Sequence, residues 1–170
     1  SFEKIYKLIL SNKGKIKILL QTYFGDIRDV YSEITEFDFD GVGLDFIEGS
    51  KNLELIKKQG FPQEKLLFAG IVNGKNIWKN SYEKSCKLIN ELREFISEDK
   101  IVLNSSCSFL HIPCSLKYEI KLEERYKKHL AFAEEKLSEL KELALISDEK
   151  DLKNSNIYNE NINLFEIKNS

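Results

Sequence analysis

An α/β fold built on parallel strands is what this sequence predicts, and three observations predict it. Four short runs rich in Ile, Leu and Val begin near residues 16, 42, 65 and 101. A helical pattern fills each gap of about 25 to 35 residues between them, the rhythm of βα units. Each run also ends in small or polar residues: Gln21-Thr22-Tyr23, Asp45, Asn73-Gly74-Lys75-Asn76 and Asn104-Ser105-Ser106-Cys107.

The elements follow in order. Phe2, Ile5, Tyr6, Leu8 and Ile9 stand at helical spacing, and Gly14 supplies a left-handed stop. "IKILLQTYFGD" is a strand closed by Gly25-Asp26, and Ile27, Val30, Tyr31 and Ile34 mark a modest helix. "GVGLDFIEG" is a second strand. Ser50 is placed to cap a helix over residues 51–59, which Gly60-Phe61-Pro62 closes. "KLLFAGIV" is nearly all apolar, as expected of a strand buried on both faces. Asn80 and Glu83 form a capping pair for a helix running through Ile96, and "KIVLNSS" is the fourth strand. A longer helix is expected from Leu122 to Leu145. Its apolar stripe is Leu122, Tyr126, Leu130, Ala133, Leu137, Leu140 and Ala144, and its Glu/Lys face is a solvated or inter-domain face, not a binding box. Residues 148–170, rich in Asn and Lys, read as a linker or loosely docked tail.

Four parallel strands suit either a small open sheet or half of an eight-stranded α/β barrel. No G-x-G-x-x-G and no G-x-x-x-x-G-K-[ST] is present, so the phosphate loops of open sheets are missing. Polar residues at every strand C-terminus are what the mouth of a barrel requires, and they favour the barrel half.

Composition narrows the function classes. With 26 basic and 28 acidic side chains the net charge is −2, which favours neither nucleic acid nor an anionic membrane as partner. No apolar run approaches the roughly 20 residues of a membrane span. Three cysteines, an odd and sparse set, point to a reduced, cytoplasmic setting. The chain contains no Met and opens almost inside a helix, the expectation for a piece of a longer protein.

"LLQTYFGD" (19–26), "GLDFIEG" (43–49), "LFAGIVNGKNIW" (67–78), "SSCSFLHIPCSL" (105–116) and "LAFAEEKLSEL" (130–140) occur in this order and at these spacings. Together they resemble the N-terminal barrel of cobalamin-independent methionine synthases, over residues 2 to 145. The resemblance implies two barrels derived by duplication and a methyl transfer from methyltetrahydropteroyl-oligoglutamate to homocysteine. It places a zinc ion in the C-terminal barrel and none in this chain. Residues 1–146 then correspond to the second half of the N-terminal barrel, about four βα units, and 147–170 to a linker or tail. The implied partner is the C-terminal zinc barrel.

The duplication also implies where a relic of the metal site belongs. Tyr23 falls where the zinc barrel has its His, Gly25 on its first Cys, Asp45 at or near its Glu, and Cys107 on its last Cys. Zinc takes four ligands, or three and a water, from Cys, His and carboxylate; Tyr23 and Gly25 cannot complete that set. The expectation is a degenerate site without zinc and a chain without catalytic residues.

Each candidate has a plainer reading beside the sharper one. Cys107 is a metal ligand or nucleophile, or a buried small residue. Asp45 is a general base, or a hydrogen-bonded strand-end carboxylate. Asn73, Lys75 and Asn76 contact an anion with Gly74 admitting it closely, or they form a tight rim loop. Trp78 is packing. Barrel-mouth candidates for substrate binding are therefore Tyr23, Asp45, Asn73, Lys75, Asn76 and Cys107. Cys107, His111 and Cys114 also have a spacing that suits a small zinc methyltransferase. Two further expectations follow from half a barrel: its open strand edges invite a homodimer, or the chain stands alone as a binding module.

Overall fold

The computed structural model describes residues 2–149 and 151–166. In chain order the helices and strands are α1 (Phe2–Ser11), β1 (Leu19–Gln21), α2 (Tyr31–Glu36), β2 (Gly41–Asp45), α3 (Lys51–Gln59), β3 (Leu66–Val72), α4 (Tyr82–Arg93), β4 (Ile101–Ser105), α5 (Glu124–Lys127), α6 (Ala133–Ser147) and α7 (Asn156–Glu166). The chain divides into two compact units, residues 1–71 with 92–106 and residues 72–91 with 107–170.

The first unit holds the sheet. Its strand order is β1-β2-β3-β4, and β1–β2 and β2–β3 pair in parallel, with Gln21 opposite Gly43 and Gly43 opposite Phe68. Every residue of β2 is buried, so that strand is covered on both faces; on β3 one face, Leu67, Ala69 and Ile71, is buried, while on the other Val72 is buried and Leu66 and Phe68 are half-buried. Tyr31, Ile34, Phe37, Ile56 and Leu92 complete this core.

The sheet curls. The Asn104 amide on β4 donates to Oε1 of Gln21 on β1 at 3.1 Å, although two strands lie between them. On a flat sheet those strands stand about 14 Å apart with side chains perpendicular to the surface, too far for this bond. The two side chains meet only on a concave face. Gly43 makes room, since a Cβ there would lie 2.1 Å from Gln21 Oε1.

Several sequence expectations need correction. β1 starts at Leu19, not near residue 16, because the Ile18 N–H is taken by the Asp40 carboxylate at 2.8 Å and not by a strand neighbour. Gly14 is left-handed (φ 57°) but lies three residues past the end of α1, in a separate turn. Ser50 adopts helical angles and caps nothing with its side chain. Asn80 does not cap α4, which ends at Arg93: its amide donates to Ser85 Oγ at 2.8 Å.

In the second unit the long helix is shorter and rotated. Residues 130–132 are extended, since Leu130 bridges Trp78 and the Ala131 N–H donates to the Ile77 carbonyl at 2.8 Å. The helix therefore begins at Ala133, and only α5 forms upstream. Glu135 then sets its rotation by accepting from the N–H groups of Phe132 and Leu116 and from Ser115 Oγ, all at 3.1 Å. The buried face is Lys136, Glu139, Leu143 and Ile146, while Leu137 is 57% exposed. Two members of the charged face, Lys136 and Glu139, are thus interior to the unit itself.

The stretch read as a linker or tail carries α7. Asn161 on it accepts from the Tyr82 N–H at the start of α4 and donates to the Asn80 carbonyl, both at 2.9 Å. Asn161→Ala leaves one buried donor and one acceptor unmatched. We expect a loss of about 2 kcal/mol in urea unfolding, with earlier protease cleavage around α7.

Candidate functional site

The polar strand ends form two local constructions, one in each unit. In the first unit the centre is Asp45, 1% exposed, at the end of β2. Its Oδ1 accepts from the N–H groups of Ile47 (2.8 Å) and Glu48 (3.0 Å), and its Oδ2 from that of Phe24 (3.1 Å). The carboxylate therefore ties the turn after β2 to the turn after β1. That second turn is strained. Phe24 has φ 63°, a left-handed conformation unfavourable for an aromatic residue, and Gly25 follows at φ 145°. Thr22 anchors its start, donating from both N and Oγ1 to the Gly43 carbonyl. Tyr23 stands 44% exposed with its ring 5.9 Å from that of Phe24.

Beneath this turn lies Asn52 of α3, fully buried. Its Oδ1 accepts from the Ile27 N–H at 3.1 Å, and its amide donates to the Asp45 carbonyl at 2.7 Å and the Gly25 carbonyl at 3.4 Å. Gly49 closes the arrangement, because a Cβ there would meet Asp45 O at 2.3 Å and Gly25 O at 2.5 Å. Sequence reading missed Asn52 and Gly49. The available signal was a polar residue one helical turn before Ile56, on the buried face of α3.

In the second unit, Asn73 Oδ1 accepts from the N–H groups of Lys75 (2.8 Å) and Asn76 (3.1 Å), a self-contained Asx turn after β3. Asn76 repeats the device with the Trp78 N–H at 3.1 Å. Gly74 does admit a close neighbour, and it is Cys107: a Cβ would meet the Cys107 carbonyl at 2.6 Å and its Sγ at 2.8 Å. Cys107 is fully buried and its thiol points to the Ser108 carbonyl at 3.7 Å.

These donors do not fit a zinc site. Both Asp45 oxygens are engaged by backbone N–H groups, and among the described residues no group of three or more His, Cys, Asp or Glu side chains stands close enough to hold a metal. Cys107, His111 and Cys114 are not brought together: Cys107 is buried, while His111 and Cys114 are exposed. The Cys114 sulfur lies 4.0 Å from Glu134, which is paired with Lys117.

The second unit also buries ionisable groups that the sequence did not single out. The Lys136 ammonium donates to the Trp78 carbonyl at 2.9 Å, and burial holds its pKa below the usual lysine value. Burial raises the pKa of Glu139, whose Oε1 accepts from the Asn80 N–H at 2.9 Å. Tyr82 donates to Glu142 at 2.5 Å, and burial and that carboxylate together push the phenol pKa up. The Glu139 shift has a consequence for stability. A carboxyl with a raised pKa in the fold holds its proton longer than in the unfolded chain, so its contribution is favourable below pH 4.5 and is lost as pH rises above it. Unfolding free energy measured from pH 4 to 8 is expected to fall less steeply in Glu139→Gln than in the parent chain.

Sequence comparison now bears on this scaffold. The family model described as "Cobalamin-independent synthase, N-terminal domain" matches residues 1–97. The chain belongs to this family. It is 52% identical over 165 residues to a 5-methyltetrahydropteroyltriglutamate–homocysteine methyltransferase of Lactococcus lactis subsp. cremoris (strain SK11), an alignment covering 97% of this chain and 21% of the relative. A protein of the same name from Campylobacter jejuni subsp. jejuni serotype O:23/36 (strain 81-176) is 55% identical over 142 residues, covering 84% of this chain and 19% of the relative. The chain thus spans about a fifth of the length of the curated relatives it matches. The family's N-terminal domain is represented here by a four-stranded α/β sheet. Among the described residues no helix is long and apolar enough to cross a membrane.

Proposed function

We propose that this chain is the second half of the N-terminal (β/α)8 barrel of a cytoplasmic cobalamin-independent methionine synthase. The whole enzyme transfers a methyl group from 5-methyltetrahydropteroyltri-L-glutamate to L-homocysteine. One observation carries the reading: a parallel sheet in sequential order that curls until Gln21 and Asn104 touch, in a chain about half identical to a fifth of such enzymes. Within that enzyme the segment is a scaffold. Its strand-end polar groups bond to the segment's own turns and to one another, and the zinc and homocysteine chemistry belongs to the partner C-terminal barrel. Taken alone, the chain neither turns over nor holds zinc.

β1 and β4 are the outer strands, and α1 carries Phe2, Ile5, Leu8 and Ile9 outward with no residue buried. The isolated chain pairs these edges with a second copy. Sedimentation of the purified chain tests this: a dimer at micromolar concentration is expected, and a stable folded monomer overturns it. Methyl transfer above background, or one zinc per chain by metal analysis, overturns the scaffold reading.

A further inference from the structure

The first helix, α1, carries apolar side chains for two neighbours and has one. At 3.6 residues per turn these side chains fall in the angular order Leu8, Ile5, Ile9, Phe2, Tyr6, Leu10, roughly 200° of arc where one core contact needs about 100°. Only one end of the arc is used. The rings of Phe2 and Tyr6 lie 6.3 and 6.1 Å from that of Phe37, and Tyr6 lies 5.4 Å from Phe39, both in the stretch between α2 and β2. The Glu3–Lys7 ion pair takes the polar side. Ile5, Leu8 and Ile9, at the other end of the arc, are exposed, Leu8 by 67%.

The strand that α1 leads into is open as well. β1 is an outer strand of three residues, Leu19–Gln21, and among the described residues it pairs with β2 only. Leu19 is exposed, and so is Ile16 ahead of it. The opposite outer strand differs: β4 has five residues, all half-buried. Apolar surface at the sheet's edges is thus left open on the β1 side. A helix that runs into a strand of a parallel sheet is the return limb of a crossover, and it lies over two parallel strands, one before it and one after it. Among the described residues only the strand after α1 is present. We propose that the open flank of α1 and the free edge of β1 form a docking site for one extended apolar strand, added parallel to β1, and that its occupant is the strand preceding this segment in the first half of the barrel. This rests on the half-barrel reading above. Main-chain bonds along β1 attach the strand, and Ile5, Leu8 and Ile9 select its apolar side chains. Because the chain spans about a fifth of its relatives' length, those proteins have the polypeptide to supply it.

The test adds to the ¹⁵N-labelled full chain a synthetic peptide copying the roughly 30 residues that precede the aligned region in the Lactococcus lactis relative, enough for one strand and its loop. Saturable amide shifts are expected at Leu19, Leu20, Gln21 and along α1, and sedimentation should show a one-to-one complex replacing the homodimer. Ile5→Lys and Leu8→Lys, both at exposed positions and with unfolding midpoints matching the parent's, should each weaken binding about tenfold. Leu110→Lys, at an exposed position in the second unit, should leave binding unchanged. A peptide with proline at the centre of its apolar run should bind at least about tenfold more weakly. The proposal is overturned if the peptide gives no saturable shifts at β1, if a scrambled peptide binds as well, if Ile5→Lys and Leu8→Lys both bind unchanged, or if a homodimer keeps this edge against saturating peptide. The half-barrel scaffold reading fails separately, on methyl transfer or bound zinc in the isolated chain.

Discussion

Asp45→Ala is expected to destabilise the protein by about 4 kcal/mol, close to the full stability of a marginal domain. The residue is 1% exposed and its carboxylate is the acceptor for three backbone N–H groups, those of Phe24, Ile47 and Glu48. Removing it strands those donors where water reaches them poorly, at roughly 1–3 kcal/mol each before relaxation. Asp45→Asn separates charge from hydrogen bonding. Its carbonyl oxygen replaces Oδ1 for Ile47 and Glu48, but its amide nitrogen confronts the Phe24 N–H, donor against donor. About half the loss is therefore expected, concentrated in the turn after β1. Urea unfolding of the three proteins gives the ranking. Equal stability of Asp45→Ala and the parent chain contradicts the role assigned here.

The same residue shows what the sequence could and could not disclose. A carboxylate closing an apolar strand was visible, and so was its choice between a base and a structural acceptor. Its partners were not visible, because Phe24 lies 21 residues away and becomes a donor only through a left-handed turn. β2 and β3 were legible since β2 is buried throughout and the run of β3 is apolar or glycine from end to end, with one face fully buried and the other partly so. β1 was overextended because Ile16 and Ile18 look like strand residues, yet an Asp40 side chain claims the backbone first. The most instructive error is α6. Periodicity placed Leu137 inside and the Glu/Lys face outside, but rotation was fixed by Glu135 reaching back to Ser115 and Leu116. That tertiary anchor, which no local pattern records, turned Lys136 and Glu139 inward and left Glu139 Oε2 buried without a hydrogen-bond partner among the described residues.

Gly74→Ala is expected to cost about 3 kcal/mol, and its cause is distinct from conformational freedom. Gly74 has an ordinary φ; what it lacks is space. The added methyl would lie 2.6 Å from the Cys107 carbonyl and 2.8 Å from its sulfur, and the first of these is backbone that cannot swing aside. The neighbouring Asn73 turn resists movement on the other side, since Asn73 holds both Lys75 and Asn76. The double variant Gly74→Ala/Cys107→Ala distinguishes the two contacts. It removes the sulfur but not the carbonyl, so only a minor part of the loss should return. Full rescue by Cys107→Ala would mean that the thiol alone sets the spacing, and that this cysteine has a steric role its backbone does not share. Partial rescue fixes Cys107 as a residue whose position, buried against a glycine, is imposed by main-chain packing at the end of β4.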